Sequence, residues 1–328
     1  MTDSKKIQEG LELIRSAEKS LKTTFLKWRP DYEVAADEYS KAATCFKIGK
    51  SFEQCKDCYM KASECHKQNR SLFHAAKNLE QAILVCKDLG DLRDIPDLAH
   101  KACTYYQQQG SPDAAATALD KAAKILEPTQ PDQALQLYKR AAEVVTIEDS
   151  PRQAAEYVSK IARILVKLRM YDEAADAIRR EIGLHQQSES IAAMGRLTVA
   201  LVLVQLARGD TVAAEKAFKE WGNCCDAPEV QTLESLLQAF DEEDPDDARQ
   251  ALNSSFIKHM DIEYARLARD LPLPQPTIPR APAKDTAVRP NAAPSYVSPN
   301  QSKTQDAKGG EEEGAGKKQE DDEEFSLC

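Results

Sequence analysis

Three cysteines and a histidine crowd one short stretch of this chain, "CKDCYMKASECH" from Cys55 to His66, and Cys-x-x-Cys is a spacing that zinc sites use. The stretch contains no glycine or proline and reads as one continuous helix. That strings positions i, i+3 and i+10 over about 15 Å at 1.5 Å per residue. Sulfurs so spread cannot converge on one ion, so the expected role is that of small apolar residues in a helix-packing seam, with no metal. The five histidines, His66, His74, His100, His185 and His259, stand apart from one another with no HExxH, and no GxxxxGK phosphate loop occurs. Adjacent Cys224 and Cys225 are expected to pack rather than react. The reading is of a protein without catalytic residues or a cofactor, not an enzyme.

The elements that would position any site repeat every twenty residues. "AADEYSKA" starts at Ala35, "CKDCYMKA" at Cys55, "AAKNLEQA" at Ala75, "IPDLAHKA" at Ile95 and "AATALDKA" at Ala115. Slipping by one, "ALQLYKRA" follows at Ala134, "AAEYVSKI" at Ala154, "AADAIRRE" at Ala174 and "AAEKAFKE" at Ala213. Positions one, five and eight of each unit are i, i+4 and i+7, one stripe of a helix, and small residues there let neighbouring helices approach closely. Between units lie Ser, Asp, Gly and Pro, as in "QQGSPD" at Gln108–Asp113, where Ser or Asp is expected to cap the next helix through its side chain. A lone helix of this kind buries its stripe only against neighbours, so the units must stack. The fold class expected is all-α, a TPR-like right-handed solenoid: a twisted sheet of antiparallel helices over residues 1–221, then a C-terminal helical bundle over 222–271. Residues 272–328 are rich in proline and charge, with eight of the sixteen prolines in "PLPQPTIPRAPAKDTAVRPNAAPSYVSPNQS", and are expected to form a disordered tail.

Composition narrows the partners. The net charge of −10 sits near the C-terminus, where residues 224–270 hold twelve acidic and four basic side chains while residues 1–223 are almost neutral. No basic cluster with interleaved aromatics occurs, so nucleic acid is not an expected partner. Nine cysteines, most of them inside helical pattern, fit a reducing cytosol. The longest apolar run, "TVALVLVQLA" from Thr198 to Ala207, falls short of the ~20 residues a bilayer requires, and no membrane span is expected. Cys328 is terminal rather than fourth from the end, which argues against prenylation. One local anomaly stands out: "KTTFLKWRPDYE", Lys22 to Glu33, places Phe25, Leu26 and Trp28 in an apparent loop flanked by Lys22, Lys27 and Arg29.

An apolar loop after the first helix, a stack of twenty-residue helical units and an acidic helical cap occur in that order. The arrangement resembles the soluble NSF attachment proteins, from the N-terminus to about Pro274, most specifically in "AADEYSKAATCFKIGKSFEQCKDCYMKASECH". The resemblance implies a cofactor-free adaptor that holds assembled SNARE complexes and recruits the hexameric ATPase NSF. It also implies cytoplasmic residence with peripheral association to Golgi and vesicle membranes.

By the same resemblance, Phe25, Leu26 and Trp28 with Lys22, Lys27 and Arg29 form a membrane-touching loop. Partial burial of the apolar side chains and the basic contacts sum to roughly 5 kcal/mol, a dissociation constant of about 0.1–1 mM. That suits a weak contact added to an existing tether. The alternative is a hydrophobic staple tucked against the first hairpin. Lys121, Lys160 and Arg196 are the favoured SNARE-binding residues among recurrent basic positions that also include Lys41, Lys61, Lys101 and Arg140. The NSF-binding candidates are Asp241, Glu242, Glu243, Asp244, Asp246 and Asp247, although Asp246 and Asp247 can also serve to start a helix after Pro245. Penultimate Leu327 is either a tethered form of the family's ATPase-stimulating end or an unrelated short motif. The competing reading is a generic helical-repeat scaffold for extended peptide or cytoskeletal partners, which needs neither the apolar loop nor the acidic cap.

Overall fold

The twenty-residue beat emerges as a succession of antiparallel helices, each packed on the next. The computed structural model describes residues 2–23, 28–147 and 150–275, all within a compact unit of Met1–Thr277. The first ten helices are α1 (Thr2–Leu21), α2 (Tyr32–Ile48), α3 (Phe52–Gln68), α4 (Leu72–Leu89), α5 (Ile95–Gln108), α6 (Pro112–Leu126), α7 (Pro131–Ile147), α8 (Pro151–Lys167), α9 (Tyr171–Gln187) and α10 (Ile191–Arg208). Shorter pieces follow: α11 (Thr211–Trp221), a 3-10 turn at Gly222–Cys224, α12 (Ala227–Asp241), α13 (Pro245–Leu252), α14 (Ser255–Lys258) and α15 (Ile262–Asp270). No strand occurs among the described residues, and the protein is an all-α helical-repeat array.

The predicted stripe is the core. Ala35, Tyr39 and Ala42 of α2, Cys55, Tyr59 and Ala62 of α3, and the equivalents through Ala154, Val158 and Ile161 of α8 are all buried. Cys55 and Cys58 are fully buried in the seam of α3, and burial pushes their thiols up to about 11 and about 12. These are packing residues, as the helical spacing required. The next unit breaks the rule at its eighth position, where α9 buries Glu181 instead of alanine. α10 is long and apolar enough to cross a bilayer by length and composition. Here, however, Val199 and Leu201 to Val204 are fully buried between α9, α11, α12 and α15, which makes it the central core helix of the C-terminal half.

The turns keep the beat as well, but by a different device from the one the sequence suggests. Ser51, Ser71, Ser111, Ser150 and Ser190 all occupy N-cap positions, yet none makes a side-chain cap hydrogen bond. Closure is achieved by backbone. Lys50, Arg70, Gly110, Arg169, Glu189 and Gly209 adopt positive φ, and the N–H of the residue after each donates to the carbonyl five back, as Ser51 to Phe46 and Ser71 to His66. This left-handed closure satisfies carbonyls at the helix end without any side chain. Side-chain capping is made instead by Asp31, Asp210, Asp226, Asp244, Ser254 and Asp261.

Helices two apart are tied by polar bonds spaced about one hairpin in sequence. Lys121 of α6 pairs with Glu80 of α4 at 3.0 Å, and Lys160 of α8 pairs with Asp120 of α6. Ser40 of α2 donates to Asn78 of α4, and Arg140 of α7 to Gln107 of α5. Beyond the repeats the chain turns back. α15 packs on α8 and α10, and α12 on α10 and α11.

Candidate interaction surfaces

The loop between α1 and α2 is held at its stem. The Asp31 N–H donates to the Ser20 carbonyl at 3.0 Å, and the Asp31 carboxylate accepts from the Val34 N–H to start α2. The Ser16 and Ser20 hydroxyls of α1 both donate to Glu38 of α2. From this anchored stem Trp28 projects with 83% of its surface exposed, beside exposed Lys22 and Arg29. Such exposure is unlike a tucked staple. Phe25, Leu26 and Lys27 lie outside the described residues.

The three favoured basic residues sit on α6, α8 and α10, alternate helices of the array, but in unequal surroundings. Arg196 is exposed. Lys121 has 55% of its side chain exposed while bonded to Glu80, which also accepts from the Tyr106 hydroxyl at 2.7 Å. Lys160 is mostly covered: it bonds Asp120 and lies 4.8 Å from the centre of the Tyr157 ring and 5.6 Å from that of Tyr138. Burial pushes the pKa of Asp120 up, but hydrogen bonds from Lys124 and Lys160 outweigh it and hold the carboxyl below its ordinary value. Lys160 is thus a structural tie as much as a surface cation, a distinction that the recurrent lysine of the repeat did not carry.

The acidic segment forms an elbow between α12 and α13. Asp241 ends α12, Glu242 is its C-cap, and Glu243 takes a left-handed φ of 54° to reverse the chain. Asp244 is the N-cap of α13 and accepts from the N–H groups of Asp246 and Asp247 at 2.9 and 3.1 Å. Asp246 also pairs with Arg249 at 2.9 Å.

The helix dipole sorts these residues. Carboxylates at the start of α13 are stabilised by the N-terminal partial charge, which gives Asp244, Asp246 and Asp247 a local structural role. Asp241 and Glu242, both exposed, lie at the C-terminal end of α12, where negative charge costs about 0.3–1 kcal/mol. Neither gains from the dipole, although Glu242 accepts a hydrogen bond from the Gln238 amide one turn back at 2.8 Å. Leu327 lies outside the described residues.

The elbow is joined to the repeats through α12. Its N-terminus carries a capping box in which the Asp226 N–H donates to Glu229 at 2.8 Å and the Glu229 N–H donates to Asp226 at 3.0 Å. Glu229 is buried, and burial raises its pKa. Gly195 of α10 admits this box: a Cβ built there would lie 2.4 Å from Glu229 Oε2, 2.7 Å from the Cys224 carbonyl and 3.1 Å from Cys225 Cα. Cys225 itself donates through Sγ to the Gly195 carbonyl at 3.6 Å. The role of Gly195 is invisible in the sequence, because nothing local marks which helix will press against it.

These surfaces fall within a stretch of known kinship. The family model for "Soluble NSF attachment protein, SNAP" matches residues 8–255, from α1 through the elbow to the start of α14. A gamma-soluble NSF attachment protein of Dictyostelium discoideum is 25% identical over 271 residues, covering 82% of this chain and 84% of that protein. The gamma-soluble NSF attachment protein of Arabidopsis thaliana is 26% identical over 264 residues, covering 80% and 91%. An alpha-soluble NSF attachment protein of Vitis vinifera is 28% identical over 246 residues, covering 73% and 84%. The chain belongs to the soluble NSF attachment protein family.

Proposed function

We propose that this protein is a non-enzymatic adaptor that binds assembled SNARE complexes and recruits the hexameric ATPase NSF, which then takes the complexes apart with ATP during vesicle traffic. The observation that carries this reading is the family match over residues 8–255, which includes both the α1–α2 stem and the acidic elbow. In this reading the repeats, at residues 1–221, form a stiff platform. Cations on alternate helices, with Lys121 and Arg196 the more accessible, meet an acidic coiled coil, where complementary charge speeds encounter and sets register. The bundle at 222–271 presents Asp241 and Glu242, with Glu243, Asp244, Asp246 and Asp247 shaping the elbow, to a basic groove of the ATPase. Trp28 with Phe25 and Leu26 makes the weak peripheral contact with Golgi or vesicle membranes, and Leu327 of the 272–328 tail contributes to ATPase stimulation. Acting from the cytoplasm, such an adaptor needs no cofactor, because the energy comes from the ATPase.

The test is ATP-dependent disassembly of a purified SNARE bundle by purified NSF, with and without this protein. Disassembly only in its presence is the expected result. No disassembly, under conditions where another adaptor works, would return the chain to the reading of a generic helical-repeat scaffold.

A further inference from the structure

The eighth position of the repeat is Ala in most units, and α9 alone among α2–α9 places an ionisable group there, Glu181. Its side chain is only 5% exposed, and Oε2 has no hydrogen-bond partner. Glu181 lines a cavity of about 420 Å³ whose opposite wall is the returning C-terminal segment. From α15 come Tyr264, whose buried hydroxyl is likewise unpartnered, and Asp261, the N-cap. His259, the C-cap of α14, lines the same space. From α8 comes Ser159, and Arg163 of the same helix, outside the lining, is bonded to Asp261 at 2.9 Å. From α10 comes exposed Arg196, and from α9 itself His185, whose Nε2 is 3.9 Å from Glu181 Oε1.

A buried carboxylate needs a cation or several donors. Arg163 bonds Asp261 through Nη1 and makes no hydrogen bond to Glu181, its buried Nε being without a partner, and burial lowers the pKa of His185, favouring its neutral form. Asp261 adds a second negative charge on the element that must approach. A protonated Glu181 avoids both problems and can donate a hydrogen bond into the cavity.

We propose that Glu181 is a proton-operated latch: protonated, it lets α14 and α15 seat on α8–α10, and ionised, it drives them toward an open arrangement in which water reaches the carboxylate. Burial is the main cause of the raised pKa of Glu181, opposed by the Ser159 hydroxyl and Arg163 and reinforced by Asp261, and the result is about 7 against an ordinary 4.5. The sign follows by linkage. Seating is fully supported below the ordinary value and loses support as pH rises through about 7, with no further change well above it. With those two values, the equilibrium for lifting α14–α15 rises about tenfold between pH 6 and pH 8.

Hydrogen exchange of the full chain at pH 6, 7 and 8, corrected for intrinsic rates, reads this directly. Amides of residues 255–270 are expected to lose about tenfold in protection between pH 6 and pH 8 relative to those of 35–62. Glu181→Gln is expected to remove the difference, and so is Glu181→Ala, which restores the common repeat residue. Equal pH response in both regions, or persistence of the response in the folded variants, would overturn the latch. Should both variants fail to fold, carboxyl-carbon NMR of wild-type Glu181 decides. Titration near 4.5 refutes the proposal, and titration near 7 that moves together with shifts of residues 255–270 supports it.

Discussion

Gly195→Ala tests how α12 is joined to α10. In an ordinary helix interior, alanine in place of glycine stabilises by about 1 kcal/mol. Here the added Cβ would meet Glu229 Oε2 at 2.4 Å and the Cys224 carbonyl at 2.7 Å, and the second of these is backbone that cannot rotate away. Overpacking of this kind costs about 1–3 kcal/mol, and displacement of Glu229 breaks the capping box for about 1 more. After subtracting the propensity gain, the net is about 2 kcal/mol of destabilisation. If the damage stays local, amides of 227–241 lose about thirtyfold in exchange protection, since 1.4 kcal/mol is a factor of ten. If it is global, the melting temperature falls by about 3–4 °C for an array of this size. Gly183→Ala in α9 is the matched control, because a Cβ there meets nothing within 4 Å and should stabilise. A Gly195→Ala protein as stable as the Gly183 variant, with α12 fully protected, would refute the argument that α10 approaches the box too closely for any side chain.

Reversing Asp241 and Glu242 to Lys should weaken NSF recruitment at least tenfold in a pull-down or binding titration while leaving α13 helical, because the new charges suit the C-terminal end of α12; unchanged recruitment would remove these two residues from the interface. Changing Phe25 and Trp28 together to Ser should abolish liposome flotation with the melting temperature unchanged, whereas lost stability would show that the loop packs on the first hairpin. Thiol titration at pH 8 should find Cys55 and Cys58 unreactive in the native protein, since both remain protonated well above that pH, and fully reactive in denaturant. Rapid native reaction of either would contradict their burial.

Much of the fold is legible because a repeat states its own rule many times. Small residues at i, i+4 and i+7, recurring every twenty positions, can bury themselves only by stacking helices, and the structure buries that stripe unit after unit from α2 through α8. The spread of Cys55, Cys58 and Cys65 along one helix was likewise decided by covalent geometry before any packing. The acidic run and the loop aromatics could be located by composition, since charge and hydrophobicity are properties of residues. What those residues touch is not. Lys121, Lys160 and Arg196 look alike as basic positions, but packing gives Lys160 its Asp120 from two helices away and the Tyr138 ring from the neighbouring helix, and leaves Arg196 exposed. The serines before the helices advertise caps, yet none makes a side-chain cap bond, and the left-handed backbone closure serves the carbonyls of the preceding helix instead. Gly195 and Glu181 acquire their roles from α12 and α15, segments far ahead in sequence that return to press on α10 and cover α9. Local periodicity thus determined the helices and their buried face. The return of the C-terminal helices, a long-range burial that no local pattern encodes, decided where a glycine is obligatory, where a carboxyl lies in the dark, and which cations remain at the surface.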